Sequence, residues 1–350
     1  MLGGELLMPR LLRRKKTPDR VSAALPKGAV ALVRKAFGTG AHVVEIAGDA
    51  STRRFYRVRS KRRTAVLMLH PDPLRPSSPL YSNHRILESI GAPVPRILAS
   101  DPRAGAVLVE DCGDTTLQKR LLSGRKKEEG RRFYRRACDL IVRLQTRAAS
   151  RLGPGDFASR NALDVERFLF ELDHFHRHFI VSLRGMRPNE ADEALLRAFF
   201  VDLAQDCDRM PLVYCHRDFQ SRNLMVQGGR LRLIDFQDAR MGPYTYDAAS
   251  LLRDSSLDLD EDLVEEMLGY LAARLQAGPE EFRRDFDRMA LQRNIKDLGT
   301  FGYMATVRGL TSYLDFVPRT IRSVKRTLLR TPRFHFVHTT LERYVLSYSS

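Results

Sequence analysis

The sequence predicts an α+β protein built from two parts, a small antiparallel sheet with a helix and a larger part that is mainly helical. Short apolar runs separated by turns dominate the first third of the chain, as expected for strands. Longer stretches with apolar residues at helical spacing dominate the rest. The chain has 350 residues with 43% hydrophobic content, which is enough for a sizeable core.

The small part is predicted to span residues 21–109. A basic segment, residues 1–20, precedes it and is expected to be a disordered tail. Apolar residues at helical spacing predict helices over 28–37 and 80–90. Alternating patterns predict strands, which in chain order are 42–47, 55–58, 64–69, one that starts after Pro95, and 106–109.

The large part is predicted to span residues 110–350. Between Val165 and Phe179, apolar residues share one face of a helix over 162–180. The chain also has stretches that predict further helices over 130–147, 246–252, 261–290 and 287–313, with a basic surface helix within 319–343.

Neither the histidines nor the cysteines have the spacing of a metal site. His174, His176 and His178 are expected to spread around their helix and to lie on the surface. No apolar run approaches the length needed to cross a bilayer, and the N-terminus is a poor secretory signal. The cysteines are scattered, which fits reduced thiols in a cytoplasmic protein better than disulfides: Cys112, Cys138, Cys207 and Cys215.

A polar loop between apolar runs organises the large part. Val213–Cys215 and Leu224–Val226 flank the loop, and a Gly228-Gly229 turn then leads into a third apolar run. This pattern predicts a strand, the loop, a short strand, a tight turn and another strand. Polar residues at fixed positions on this frame are therefore candidates for a functional site.

The polar residues follow an order that protein kinases use. Asp218 comes shortly after His216, Asn223 lies five residues after Asp218, and Asp235 lies twelve residues after Asn223. In kinases the first Asp accepts the proton of the substrate hydroxyl, and the Asn and the later Asp hold magnesium. The alternative is a polar loop followed by a solvent-facing Asp, but a carboxylate inside Leu233–Phe236 would be costly without a partner.

These segments resemble the aminoglycoside phosphotransferase superfamily. Within it the chain is most similar to the bacterial cell-wall sugar kinases, which phosphorylate the anomeric hydroxyl of N-acetylmuramate and N-acetylglucosamine. The resemblance covers about residues 28–320 and implies a two-lobed protein-kinase-like fold, ATP and Mg²⁺ as cofactors, and a role in recycling peptidoglycan sugars. The segments that carry it are Gly48–Arg54, His216–Asn223, Ile234–Ala239, Gly242–Asp254 and Leu291–Gly299.

The resemblance implies a role for each matching residue of the loop. Asp218 would act as the base toward a sugar hydroxyl, and His216 would orient the loop. Arg222 would steady the loop or the transferring phosphate. Asn223 and Asp235 would hold magnesium, because both offer hard oxygen ligands at neighbouring strand ends.

Other matching residues would face the acceptor or support the loop. Asp238 is a candidate for an acidic contact with the acceptor, and Asp247 would cap its helix or anchor the loop. Arg293 is a candidate to accept the carboxylate of N-acetylmuramate. Gln292 and Lys296 lie on the same or neighbouring turns, and either an acceptor-facing surface or a solvated one fits them.

The residues that would bind the nucleotide form a less specific sequence pattern than the polar loop. Gly48, Ser51 and the backbone around them would cradle phosphate, helped by Arg53, although a hairpin turn explains this stretch equally well. Glu110 and Cys112 lie in the predicted connector between the lobes, where backbone groups would bind an adenine edge.

The sequence departs from the kinase pattern in its third strand. Met68 occupies the position where a Lys or Arg would bind the nucleotide phosphates, and Asn83 stands where its Glu partner is expected. Arg53 or Lys61 could replace the missing cation. The resembled subgroup carries a Trp where this chain has His178. The sugar-contacting residues of the subgroup can therefore not be assigned directly to this chain.

The net charge of the chain and its distribution indicate which kinds of partner the protein is expected to bind. The net charge is +17, and residues 1–109 hold 20 Lys/Arg and 7 Asp/Glu, against 39 and 35 in the rest. Aromatic residues do not interleave with the basic clusters, so we expect no specific nucleic-acid binding. A neutral or anionic acceptor fits better than a polycationic aminoglycoside. A kinase for another small hydroxylated metabolite and a catalytically silent kinase-like module stay as alternatives, and the expected state is a monomer.

Overall fold

A computed structural model describes residues 25–46, 52–61, 63–124 and 127–348. Contacts divide the chain into two compact units, the first built from residues up to 75 with 95–111, the second from residues 76–94 with 112 onward. The sequence prediction instead used one boundary after residue 109. Each unit is built from separate stretches of the sequence, because residues 76–94 pack with later parts of the chain, as Asn83 does below.

The first unit contains a five-stranded antiparallel sheet with the order β1-β2-β3-β5-β4. Its helix α1 is Lys27–Phe37, and its strands are β1 His42–Ile46, β2 Arg54–Ser60, β3 Arg63–Leu69, β4 Ile97–Asp101 and β5 Ala106–Glu110. The predicted first helix and strands are thereby confirmed. Apolar residues of α1, such as Val33 and Phe37, cover one face of this sheet, where they pack with Tyr56, Val58 and Leu67.

The second unit is mainly helical. Its helices are α2 Pro79–Ser89, α3 Leu117–Leu122, α4 Lys127–Arg147, α5 Phe157–Arg160, α6 Val165–Phe175, α7 Glu190–Asp208, α8 Tyr246–Leu252, α9 Glu261–Leu275, α10 Pro279–Thr306, α11 Val317–Leu329 and α12 His338–Leu341. Two π-helical segments, His176–Leu183 and Glu342–Leu346, follow α6 and α12. Short 3₁₀ segments are Ala149–Arg151, Ser221–Asn223, Thr311–Phe316 and Pro332–Val337.

Two short antiparallel pairs frame the polar loop. Strand β6 (Leu212–Cys215) pairs with β9 (Arg240–Pro243), and β7 (Leu224–Gln227) pairs with β8 (Arg230–Leu233). Between β7 and β8, Gly228 and Gly229 have φ of 55° and 73°. Positive φ at both central residues belongs to the tight hairpin turn that glycine permits, which confirms the predicted turn.

Helix α10 lies unusually close to the segment that follows α6. A Cβ on Gly299 would lie 2.6 Å from Cα of Phe175, and one on Gly302 would overlap the carbonyl of His178. Only glycine fits at such backbone-to-backbone contacts. None of the helices in the described ranges combines the length and apolar character needed to span a bilayer. The four cysteines are buried and free of disulfides.

Candidate active site

A buried carboxylate holds the loop that follows β6. Asp247, in the first turn of α8, accepts the backbone N–H of His216 at 2.7 Å and that of Arg217 at 3.0 Å. These bonds stabilise an unfavourable backbone conformation, because Arg217 has φ of 77°. Burial raises the pKa of Asp247, although His216 and the two N–H groups oppose the shift. Asp247 was predicted either to cap its helix or to anchor the loop, and these hydrogen bonds are those of a loop anchor.

His216 connects the loop to the strand end that precedes Asp235. Its side chain is fully buried, and Nε2 lies 3.0 Å from the carbonyl oxygen of Ile234. A carbonyl only accepts, so Nε2 carries the proton of this bond. The ring of Phe219 packs edge-on against the imidazole, with centroids 5.7 Å apart. These contacts fit the predicted task of orienting the loop.

Asp218 lies half-buried at the centre of a group of cations. Burial opposes its ionisation, but the charges of Lys296, Arg217, Arg293 and His216 more than compensate and lower the pKa of Asp218 to about 2. The side chain is therefore a carboxylate at neutral pH. A carboxylate with such a low pKa holds and orients a hydroxyl well, and it accepts the proton only late, once the hydroxyl oxygen has become acidic.

Asn223 and Asp235 lie at the adjoining ends of β7 and β8. The backbone N–H of Ile234 donates to the carbonyl of Asn223 at 3.0 Å, which brings the two positions together. The side-chain amide nitrogen of Asn223 donates to the backbone carbonyl of Asp218 at 2.8 Å, so its oxygen is turned the other way. Asp235 has φ of 65° and accepts a bond of 3.0 Å from the amide of Gln237.

This pair of side chains fits a magnesium ion that is bound largely through phosphate. Mg²⁺ prefers oxygen ligands and takes only one or two carboxylates from protein when a nucleotide supplies the rest. Asn223 and Asp235 offer one amide oxygen and one carboxylate, which is that donor set. Within the described ranges no group of three or more His, Cys, Asp or Glu side chains is placed to form an independent metal site.

Glu171 on α6 is a buried partner of the loop that sequence reasoning missed. It is only 5% exposed, lies 3.4 Å from the guanidinium of Arg217, and accepts a bond of 3.0 Å from Gln292. Burial would raise its pKa, but Lys296 and Arg217 outweigh burial and lower it. Its position on the polar side of an amphipathic helix looked like that of a surface residue, and no local signal distinguishes the two.

Arg293 lies beneath the loop rather than beside an open pocket. It is 2% exposed, donates to the carbonyl of Arg217 at 3.1 Å and to the hydroxyl of Tyr246 at 2.8 Å, and stacks over the Tyr246 ring. Because Nη1 makes both of these bonds and the side chain is buried, this placement favours loop support over the predicted contact with a substrate carboxylate. Lys296, one turn further along α10, is the cation with the strongest effect on Asp218.

Arg222 and Asp238 each make a polar contact with a residue two positions away in the chain. The Nε of Arg222 donates to the side chain of Gln220 at 2.9 Å, within the turn that leads to Asn223. Asp238 has a 44% exposed side chain and forms an ion pair of 3.4 Å with Arg240. Asp238 is exposed, and its contact with an acceptor stays a prediction. The bond of Arg222 is compatible with steadying the turn, one of the two roles predicted for it.

Asn83 on α2 holds the segment that follows Asp235. Its amide nitrogen lies 3.3, 2.9 and 2.9 Å from the carbonyl oxygens of Phe236, Gln237 and Ala239, and its oxygen accepts the hydroxyl of Tyr214 at 3.2 Å. Asn83 is fully buried. The residue that sequence reasoning noted in place of an acidic partner therefore clamps the segment that follows the candidate metal ligand Asp235.

The nucleotide-binding candidates fall mostly in the first unit. Gly48 and Ser51 lie outside the described residues. The guanidinium of Arg53 lies 5.6 Å from the ring centre of Phe55, and Phe55 pairs with Met68 across the sheet. Arg53 therefore lies beside the sheet face that carries Met68. On this face a cationic side chain would be needed to bind the nucleotide phosphates.

Two of the remaining candidates, Glu110 and Cys112, lie at the end of β5 and just after it. Glu110 is the last residue of β5, and its carboxylate lies 3.5 Å from Arg96. Cys112 is buried and groups with the second unit. Lys61 is exposed at the turn between β2 and β3.

Arg57 is a cation of this sheet that sequence reasoning missed. It pairs with Val66 and therefore points to the same face as Met68, two residues further along β3. Its guanidinium forms an ion pair of 2.8 Å with Asp111, and both side chains are largely buried, at 12% and 9% exposure. The sheet face that has Met68 in place of the kinase lysine thus carries a largely buried ion pair between Arg57 and Asp111.

This fold and site define a class, the kinase-like phosphotransferases. The phosphotransferase enzyme family, APH, matches residues 42–290, and the chain belongs to this family. It is a small-molecule kinase that uses a nucleotide phosphate donor.

Curated relatives and a solved structure resemble the chain over most of its length. The N-acetylmuramate/N-acetylglucosamine kinase of Pseudomonas aeruginosa is 30% identical over 83% of this chain and 85% of its own. The kinase of the same name from Neisseria meningitidis serogroup B is 29% identical over 81% of this chain and 85% of its own. The solved gentamicin–APH(2'')-IIa complex superposes with a TM-score of 0.60 at 14% identity, over 87% of this chain and 99% of that one. The predicted protein-kinase-like α+β fold is confirmed.

Proposed function

We propose that the protein transfers the γ-phosphoryl group of ATP, with Mg²⁺, to the anomeric hydroxyl of an N-acetylated amino sugar such as N-acetylmuramate or N-acetylglucosamine. The observation that carries the proposal is the bond between the candidate base and a candidate metal ligand, since the amide of Asn223 holds the backbone of Asp218 at 2.8 Å. The names of the Pseudomonas and Neisseria relatives support the choice of acceptor.

Each residue of the loop has a task in this reaction. The carboxylate of Asp218 accepts a hydrogen bond from the acceptor hydroxyl and takes its proton as the new O–P bond forms and the bond from the γ-phosphorus to ADP breaks. Asn223 and Asp235 would hold Mg²⁺, which when bound offsets the charge of the nucleotide phosphates. His216 and Asp247 keep the loop in the conformation that aims Asp218 at the hydroxyl.

The charges around Asp218 favour a neutral or anionic acceptor. Lys296, Arg217 and Arg293 all act on Asp218, and the nearby Glu171 is neutralised by Lys296 and Arg217. Asp238, the exposed acid of this region, is paired with Arg240. A polycationic aminoglycoside would meet this positive potential unfavourably. An N-acetyl sugar carries no amine charge, and N-acetylmuramate adds a carboxylate that the cations attract.

Turnover of an acceptor panel with Mg-ATP tests the proposal. N-acetylmuramate and N-acetylglucosamine should release ADP, while kanamycin and choline should not. The methyl glycoside of N-acetylglucosamine is the matched control, because it keeps every hydroxyl except the anomeric one and should be inert. Phosphorylation of kanamycin or choline in preference to the sugars would overturn the acceptor class, and phosphorylation of the methyl glycoside would overturn the anomeric position.

A further inference from the structure

Arg57 lies in an apolar row of side chains that crosses the sheet of the first unit. The strand register places Val44 opposite Arg57, Arg57 opposite Val66, and Val66 opposite Val109. Side chains directly opposite each other in an antiparallel sheet point to the same face, so these four form a row on the face that carries Met68. The helix α1 covers the other face of the sheet. Arg57 is thus the charged member of a row that is otherwise valine.

Asp111 holds the guanidinium of Arg57 in a fixed plane. Nε of Arg57 lies 2.8 Å from Oδ2 of Asp111, and Nη2 donates to Oδ1 at 3.0 Å, so the pair is bidentate. A bidentate pair fixes the orientation of the planar guanidinium as well as its position. Both side chains are largely buried, and a buried ion pair often adds no more stability than apolar residues of similar size. The pair is therefore explained better by a function than by stability.

Two sequence features place Arg57 between the two ends of a bound nucleotide. Met68 marks the phosphate end, because it occupies the position of the kinase lysine, and it pairs with Val107 in the row next to that of Arg57. Glu110 marks the base end, because backbone groups of the segment that it begins are predicted to bind an adenine edge, and Asp111 follows it. Neighbouring rows on one face are about 6.8 Å apart along a strand. A nucleotide that spans both ends therefore crosses the row of Arg57 with its base.

We propose that the guanidinium of Arg57 stacks on the nucleobase of the phosphate donor and that Asp111 holds it in the stacking plane. The assignment rests on the nucleotide donor of the proposed function and adds to it the contact that binds the base. A guanidinium plane stacks on aromatic rings through cation–π attraction, and the partly exposed Val44 and Val66 offer apolar surface on either side. Every purine has such a face, so the contact gives affinity for a base without selecting between ATP and GTP.

Nucleotide binding without any acceptor tests the assignment at Arg57. Arg57→Leu should weaken binding of ATP and of adenosine by the same factor, roughly tenfold, because both carry the base. Inorganic tripolyphosphate, measured by competition with ATP, should bind parent and variant equally, because it has no base. Arg57→Lys keeps the charge but not the plane and should lose as much affinity as Arg57→Leu. Arg59→Leu is the matched control, because Arg59 is exposed on the same strand and face, and it should leave every affinity unchanged.

A double-mutant cycle tests the positioning role of Asp111. Asp111→Asn keeps the size of the side chain and removes its charge, so it should weaken ATP binding in the parent by a smaller factor than Arg57→Leu does. In the Arg57→Leu background it should have no further effect, because the group that it positions is gone. Equal losses in the two backgrounds would show that Asp111 acts independently of Arg57 and would contradict this role.

The outcomes separate this assignment from the proposed function. Weaker binding of tripolyphosphate with unchanged adenosine affinity, or parent-like ATP affinity in Arg57→Lys, would overturn the assignment, since either result makes Arg57 a charge for phosphate. If thermal melting shows that Arg57→Leu does not fold, the double variant Arg57→Leu/Asp111→Leu takes its place, because it leaves no unpaired carboxylate. A parent that shows the expected binding pattern but phosphorylates no amino sugar overturns the proposed acceptor and leaves the stacking contact in place. A parent that binds no nucleotide overturns both.

Discussion

The side-chain amide of Asn223 donates to the backbone carbonyl of Asp218 at 2.8 Å. The two residues are five positions apart, and a 3₁₀ turn, Ser221–Asn223, brings them together. One side chain therefore fixes the backbone of the candidate base with its nitrogen and presents its oxygen for a cation. In the proposed assignment, this single amide would couple the binding of magnesium to the positioning of the base.

Asp218→Asn should lower turnover by about 10²–10⁴-fold and leave ATP affinity nearly unchanged. Asn matches Asp in size, but it cannot take a proton or hold the hydroxyl with a negative charge. Turnover with N-acetylmuramate and calorimetric ATP binding measure the two effects. The control is Asp208→Asn at an exposed position at the end of α7. An Asp218→Asn protein that works at the parent rate would contradict the mechanism.

Asp235→Asn should lose magnesium-dependent ATP affinity as well as turnover, because it removes the carboxylate of the candidate donor set. For the parent, Mg-ATP should raise the melting temperature more than ATP with a chelator does, since a ligand that binds the native state stabilises it. The metal assignment fails if the parent is stabilised equally in chelator, or if Asp235→Asn keeps the magnesium-dependent shift.

Lys296→Met should move the acidic limb of the kcat/KM profile to higher pH. Burial raises the pKa of Asp218, and Lys296 is the first of the cations that lower it to about 2. Losing a cation disfavours the carboxylate, so the pKa rises toward or beyond the ordinary value of about 3.9, and activity is lost at a higher pH as the medium is acidified. Lys296→Arg should keep the parent profile. An unshifted limb in Lys296→Met would show that Lys296 does not set the ionisation of Asp218.

Asn83→Leu should lower the free energy of unfolding by at least about 2 kcal/mol, because each buried polar group left unpaired costs ~1–3 kcal/mol. The substitution leaves the carbonyls of Phe236 and Gln237 and the hydroxyl of Tyr214 without this partner. Denaturant unfolding measures the loss, and the magnesium requirement of turnover should also rise. Asn161→Leu is the control, since Asn161 donates to one carbonyl at an exposed position. Equal effects at the two sites would mean that Asn83 is not a clamp.

Elements whose cause is local could be predicted from the amino-acid sequence. Alternating patterns and the Gly228-Gly229 pair defined strands and a hairpin, because side-chain direction and positive φ depend on neighbours in the chain. The spacing of Asp218, Asn223 and Asp235 indicated a kinase-type site for the same reason, since one loop and one hairpin set their separation. Their roles stay predictions until the variants are measured, and so do those of Gly48 and Ser51.

The side chains that lie far apart in the chain but share an environment became apparent in the three-dimensional fold. Glu171 and His178 look like polar positions of an amphipathic helix, yet one is buried under the loop and the other packs edge-on against Tyr303 of α10. In the sequence Arg57 is an ordinary strand residue, and the structure shows its ion pair with Asp111. Asn83 stands where an acid was expected, and the structure shows its bonds to the carbonyls of Phe236, Gln237 and Ala239. Burial and charge compensation depend on contacts between residues far apart in the chain, and no local pattern encodes them.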